Sequence, residues 1–210
     1  MPDFSIEQTK SGIVCGVDEA GRGPWAGPVV AGAAILDADT LPQDLPQDLI
    51  DQLDDSKKLK AEKREALFER LVEVGVTFGV GQASAQEIDD INILQATFKA
   101  MERAVENLGV KPDFALIDGN RLPKSFPCPA DCVVKGDGLS LSIAAASIVA
   151  KVTRDRLMLE LDRTYPGYGW GSNAGYGTKA HQEGLKTLGV TPEHRKSYAP
   201  IRKMLSLEES

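Results

Sequence analysis

The sequence predicts an α/β fold in which a central mixed β-sheet is flanked by helices. Two observations lead there. Short apolar runs that read as strands are interspersed with segments whose apolar residues recur every three to four positions and read as helices. The two kinds of segment do not alternate strictly, which favours a sheet of mixed direction over a purely parallel one. A third observation bounds the size. At 210 residues, with 42% hydrophobic and 26% charged content, the chain suits one globular domain with a sizeable core.

The elements follow in order. Residues 13–17 form a short buried strand, and residues 29–36, after Pro28, form a second. Prolines and Asp-containing turns make 41–53 a loop with a short helix. Ser56 is placed to cap a helix over about 61–73, with Leu67, Leu71 and Val74 giving it an apolar face. Residues 75–85 alternate as a strand does. Residues 91–108 are helical, with Ile91, Leu94, Phe98, Met101, Val105 and Leu108 on one face and Gly109 as the stop. Strands follow at 114–117 and 132–134, then a long helix at 140–161. The first turns of that helix, "SIAAASIVAKV", are rich in small residues and suit close packing on a sheet. "YPGYGWGSNAGYGT" reads as a glycine and aromatic loop, Thr178 caps a helix reaching about 188, and a last short helix covers 200–207.

Composition excludes several classes. No run of about 18 apolar residues occurs, so no membrane helix is expected. The N-terminal "MPDFSIEQTKSG" lacks a secretory pattern, which makes the cytoplasm the expected location. Three cysteines, Cys15, Cys128 and Cys132, are too few and too odd in number for a disulfide framework. Cys128 and Cys132 with the distant His181 and His194 make a poor zinc site. The net charge of -7 argues against nonspecific nucleic-acid binding, so any such contact must come from local basic patches.

Three apolar runs each end in acid: Asp18-Glu19, Asp118 and Asp137. An Asp-Gly pair after a strand is a common turn, so Asp118 and Asp137 singly mean little. Two adjacent acids followed by Gly21-Arg22-Gly23 are not required by any turn. Carboxylates resist being crowded together unless a cation neutralises them. Hard oxygen donors suit Mg²⁺ or Mn²⁺, and such ions assist phosphodiester hydrolysis. The glycine spacing also touches the dinucleotide-binding pattern, but Pro24 and Pro28 break the helix which that pattern opens. Bare glycines instead let a backbone approach a ligand closely, with Arg22 in reach of a phosphate.

Taken in order, the motifs resemble those of the bacterial ribonuclease HII family, a type 2 ribonuclease H. They are Asp18-Glu19-Ala20-Gly21-Arg22-Gly23-Pro24, Asp55-Ser56-Lys57-Lys58-Leu59, Asp118-Gly119, Lys135-Gly136-Asp137, "AAASIVAKVTRD" and "GYGT", with "HRKSYAP" near the C-terminus. The resemblance implies an RNase H-like fold with a catalytic core at about 12–190 and a helical extension at about 191–210, together one domain over 1–210. It implies cleavage of the RNA strand of RNA–DNA hybrids and nicking 5′ of single ribonucleotides embedded in duplex DNA, leaving 3′-hydroxyl and 5′-phosphate ends. Asp18, Glu19, Asp118 and Asp137 would be catalytic metal ligands for Mg²⁺ or Mn²⁺. Gly21, Arg22 and Gly23 would meet the ribose 2′-hydroxyl and its phosphate, and Tyr176 would stack on the next sugar. Lys57, Lys58 and Lys179 would lie near phosphates. Nothing demands an oligomer or a membrane, and a monomer is expected. Two alternatives share the acids: a junction resolvase, which would lack the Gly-Arg-Gly and Tyr176 pair, and a noncatalytic hybrid-binding protein, for which four acids are too many.

Overall fold

A computed structural model describes residues 2–36, 46–53 and 59–208. Five strands form one sheet, from β1 (Val14–Ala20) and β2 (Val29–Ile35) through β3 (Thr77–Ala83) to β4 (Phe114–Asp118) and β5 (Ala130–Val133), in the order β3-β2-β1-β4-β5. The first three strands are antiparallel neighbours, while β4 runs parallel to β1 and β5 parallel to β4. The mixed sheet is thus as expected, and β1 sits where its direction rule changes.

Each face is covered by one long helix. On one side lies the helix Ala85–Glu106, against Cys15, Val17, Ala31, Ala33 and Ile117. On the other lies the helix Leu141–Thr164, whose buried Ala144, Ala145, Ala146 and Ile148 pack with Ala34 and Leu36. The small residues of that second helix explain its close approach. A Cβ on Gly16 would sit 2.1 Å from the Ser142 carbonyl carbon, and one on Gly32 2.4 Å from the Ala146 oxygen. Both strands therefore need glycine where the helix crosses them.

Two shorter helices come before β3. Gln47–Ile50 is the short helix expected within 41–53, and Ala61–Glu73 is the expected helix before β3. In chain order the helices so far are α1 (Gln47–Ile50), α2 (Ala61–Glu73), α3 (Ala85–Glu106) and α4 (Leu141–Thr164). Three more follow: α5 (Trp170–Asn173), α6 (Lys179–Leu188) and α7 (Ala199–Glu208).

Several expected boundaries move. The N-cap of α2 is Lys60, without a side-chain cap; Ser56 lies outside the described residues. Helix α3 starts six residues before the expected 91, because Ser84 and Glu87 form a reciprocal capping box. Asn92 interrupts it at φ 66°, and its side-chain oxygen accepts from the N–H groups of Leu94 and Gln95, restarting the helix beyond the kink. Helix α5 lies inside the segment expected as loop, and its Trp170 is fully buried.

A third cluster forms beyond the sheet from Ala26, Met158, Tyr168, Trp170, Leu185 and Ile201. It encloses four ionisable side chains, Arg154, Arg195, His181 and His194, each no more than 1% exposed. Burial, with His181 alongside, pushes His194 down to about 4, and burial lowers His181 as well. The unfolded chain then takes up protons that the folded one refuses, so stability falls as the pH drops from about 6.5 to about 4. His194 alone contributes a slope of up to about 1.4 kcal/mol per pH unit in that window. Urea unfolding at pH 5 to 7 tests this against a His194→Phe variant. The variant should show the shallower dependence, since all other titrating groups are common to both proteins. Equal slopes would mean that His194 does not titrate on unfolding. Among the described residues, no helix is long and apolar enough to cross a membrane.

Candidate active site

The acids gather because β1 and β4 are parallel neighbours. Val17 is in register with Ile117, so the next residues, Asp18 and Asp118, stand side by side at the carboxyl ends of the two strands. Strand β1 does not stop before its acids as expected. It keeps pairing with β2 through Glu19↔Ala31 and Ala20↔Val30. Adjacent residues of a strand face opposite ways, so Asp18 and Glu19 cannot point to the same side.

Asp18 takes the α4 side and is 1% exposed. Its Oδ1 accepts from the Glu19 backbone N–H at 2.7 Å. Asp137 arrives from a 3₁₀ turn, Gly136–Gly138, not from a strand end as expected. Strand β5 ends at Val133, and Lys135 at φ 58° turns the chain back. The Gly136 N–H donates to Asp118 Oδ1 at 2.7 Å, which fastens this turn to β4. One carboxylate oxygen from each of Asp18, Asp118 and Asp137 lies within 4.8 Å of the others. Three hard oxygen donors at that spacing fit a hard divalent cation.

Glu19 is outside that trio. It faces the α3 side, where it lines a cleft of about 500 Å³ with Arg22, Phe98, Met101, Asp118 and Arg121. Its Oε1 lies 3.4 Å from Arg22 Nη1. All four expected acids thus reach one end of the sheet, three in a cluster and the fourth lining a cleft that it shares with Asp118.

The glycine loop meets the tyrosine loop beside them. A Cβ on Gly23 would lie 3.3 Å from the Tyr176 ring, which is half exposed. Gly21 is at φ +95°, and a Cβ there would fall 1.9 Å from Arg154 Nε, so only glycine fits. Two buried arginines hold this region through backbone carbonyls. Arg195 donates to the oxygens of Gly21 at 2.6 Å, Arg22 at 2.9 Å and Gly27 at 3.0 Å. Arg154 donates to those of Pro28 at 3.0 Å, Ala174 at 3.0 Å and Ala26 at 3.3 Å. Burial, reinforced by the charge of Arg195, pulls Arg154 down to about 10, still protonated near neutrality. From the sequence Arg195 reads with Lys196 as a local basic patch and Arg154 carries no role, yet both are buried; the buried state of an arginine has no local sequence signal. Lys179 is exposed in the first turn of α6. Lys57 and Lys58 lie outside the described residues. Cys15, Cys128 and Cys132 are free thiols.

A family model described as Ribonuclease HII matches residues 15–201. The chain belongs to the ribonuclease HII family. A Ribonuclease HII of Paramagnetospirillum magneticum is 58% identical, over 96% of this chain and 97% of that protein. One of Jannaschia sp. is 56% identical, over 97% of this chain and 98% of that protein. Among solved structures, a ribonuclease H2 from Pyrococcus horikoshii OT3 superposes with a TM-score of 0.74 at 29% identity, covering 94% of this chain and 99% of that one. The RNase H-like fold and the ribonuclease H activity, hydrolysis of phosphodiester bonds by an endonuclease, follow from this membership. Ribonuclease HII enzymes depend on divalent metal, which agrees with the donor set at the carboxyl ends of β1 and β4.

Proposed function

We propose that the protein nicks duplex DNA on the 5′ side of embedded ribonucleotides and cleaves the RNA strand of hybrids, leaving 3′-hydroxyl and 5′-phosphate ends. The observation that carries this reading is the meeting of two features at one sheet end. One is the Asp18, Asp118 and Asp137 cluster; the other is the contact between Gly23 and Tyr176. The first supplies hydrolysis, and the second supplies a surface that can tell ribose from deoxyribose.

Asp18, Asp118 and Asp137 hold Mg²⁺ or Mn²⁺ on this reading, with Glu19 as a fourth acid at the edge of the cleft. Such ions, when bound, activate water and neutralise charge building on the phosphate. The chain's own groups do the rest. Arg22, half exposed beside Glu19, offers its guanidinium to a phosphate. Gly21 and Gly23 leave the backbone bare, so that a ribose 2′-hydroxyl can be contacted directly. The exposed Tyr176 ring stacks on the deoxyribose beyond the ribonucleotide. Lys179 favours a phosphate at the first turn of α6. Lys57 and Lys58 are assigned to phosphate contact on the same reading. A monomer acting in the cytoplasm belongs to the same reading.

The test compares three substrates: duplex DNA with one ribonucleotide, a continuous RNA–DNA hybrid, and all-DNA duplex, each with Mg²⁺, Mn²⁺ or chelator. Cleavage of the first two with either ion, and of none with chelator, is expected. Tyr176→Ala should lower turnover on the single ribonucleotide by about 5- to 150-fold, the worth of one stacking contact of roughly 1–3 kcal/mol. The loss on the continuous hybrid should be smaller, because no junction is present there. Equal losses would move junction sensing away from Tyr176.

A further inference from the structure

The two histidines meet in the third cluster. Nε2 of His181 and Nε2 of His194 are 3.0 Å apart. One of those nitrogens donates and the other accepts, and their neighbours decide which. The Trp170 indole N–H, which can only donate, lies 3.1 Å from His181 Nε2. That nitrogen therefore accepts, and the His181 proton sits on Nδ1. Nδ1 is 3.0 Å from the Tyr176 carbonyl oxygen and donates to it. On the other ring, the Thr191 backbone N–H donates to His194 Nδ1 at 2.9 Å. His194 then carries its proton on Nε2, aimed at His181.

Every bond now runs in one direction: Thr191 to His194, His194 to His181, His181 to the Tyr176 carbonyl. That carbonyl also accepts from the Thr178 N–H at 2.8 Å, so it is gripped by two donors. At the far end, His194 bridges to Ala26, and the Gly27 N–H donates to the Glu193 oxygen at 2.9 Å. The chain of imidazoles thus joins the tyrosine loop to the segment that follows the glycine loop.

We propose that His181 and His194 are positioning residues that act through Tyr176, holding its backbone so that the ring stays in register with Gly23 at the substrate. The proposal rests on the reading of Tyr176 given above. It deepens that reading by assigning the pair a share in selectivity for the single ribonucleotide.

The full-length protein serves for every arm of the test. Long-range proton–nitrogen NMR on the imidazoles should show the Nδ1–H tautomer for His181 and the Nε2–H tautomer for His194. The opposite assignment would overturn the relay, whatever any variant does. In kinetics, the readout is kcat/KM on the single-ribonucleotide duplex divided by that on the continuous hybrid. His194→Phe should lower this ratio by about 10-fold, since small misplacements of positioned groups cost one to two orders of magnitude. His194→Gln keeps an amide N–H to donate towards His181 and should recover most of the loss. A folded His194→Phe with the wild-type ratio would overturn the proposal; if that variant does not fold, the tautomers and the Gln variant decide. Tyr176→Ala separates the two ideas. If it lowers the ratio and the His194 variants do not, the relay alone fails. If it leaves the ratio unchanged, the Tyr176 reading fails first.

Discussion

Asp118→Asn should cut hydrolysis of every RNA-containing substrate by three orders of magnitude or more while the fold stands. The effect follows from charge. Asn keeps the shape and one oxygen, so the Gly136 N–H retains its acceptor and the turn carrying Asp137 stays fastened. What is lost is one of three negative charges whose oxygens lie within 4.8 Å. On the proposed reading, removing it would weaken cation binding, and the bound cation would supply both water activation and phosphate neutralisation. Without metal, the variant should be as stable as the wild type or more so, because mutual repulsion among the acids is relieved. Two measurements check this: single-turnover cleavage across a Mg²⁺ titration, and urea unfolding in chelator. Near-normal cleavage at low Mg²⁺ would remove Asp118 from the metal site. Equal loss of stability and activity would make it a structural residue.

Arg195→Leu should show the reverse pattern, a large loss of stability with the acid cluster left chemically intact. The guanidinium is fully buried and satisfies the carbonyls of Gly21, Arg22 and Gly27 as well as the Tyr198 hydroxyl at 3.0 Å. Leucine leaves the Gly21 and Gly27 carbonyls without that donor, at about 1–3 kcal/mol each, while the Arg22 oxygen keeps the Tyr198 hydroxyl. Removing a buried charge offsets part of this, so a net loss of about 2–4 kcal/mol is expected. Arg195→Lys should fall between, because an ammonium cannot reproduce the planar fork. Denaturant midpoints give the stability, and Mn²⁺ titration of the folded fraction gives the metal affinity. A loss under 1 kcal/mol would show that the loop carbonyls find other donors.

How much of this could be read from the chain depends on the range of the cause. The mixed sheet, the two covering helices and the acids at one sheet end were legible, because strand and helix periods are local and three acids after apolar runs are conspicuous. The start of α3 is written in the sequence as Ser84-Ala85-Gln86-Glu87, a capping box that overrides the strand-like alternation running to 85. The opposite orientation of Asp18 and Glu19 depends on β2 pairing through to Ala20, which no local pattern announces. The roles of Arg154, Arg195, His181 and His194 were not legible. Their partners are carbonyl groups and rings brought in by the fold. His181 and His194 looked too remote for a zinc site, yet their nitrogens lie 3.0 Å apart.

The hold of Arg195 on Gly21 and Gly27 has a further meaning during synthesis. Its partners precede it by 174 and 168 positions. A nascent chain would therefore expose Asp18, Asp118 and Asp137 long before residue 195 left the ribosome. The acids of such a fragment would lack the clasp that shapes the glycine loop above them, and closing so long a loop is entropically slow. The final shape of the glycine loop would thus come last in assembly, after the acid-bearing end of the sheet is already made.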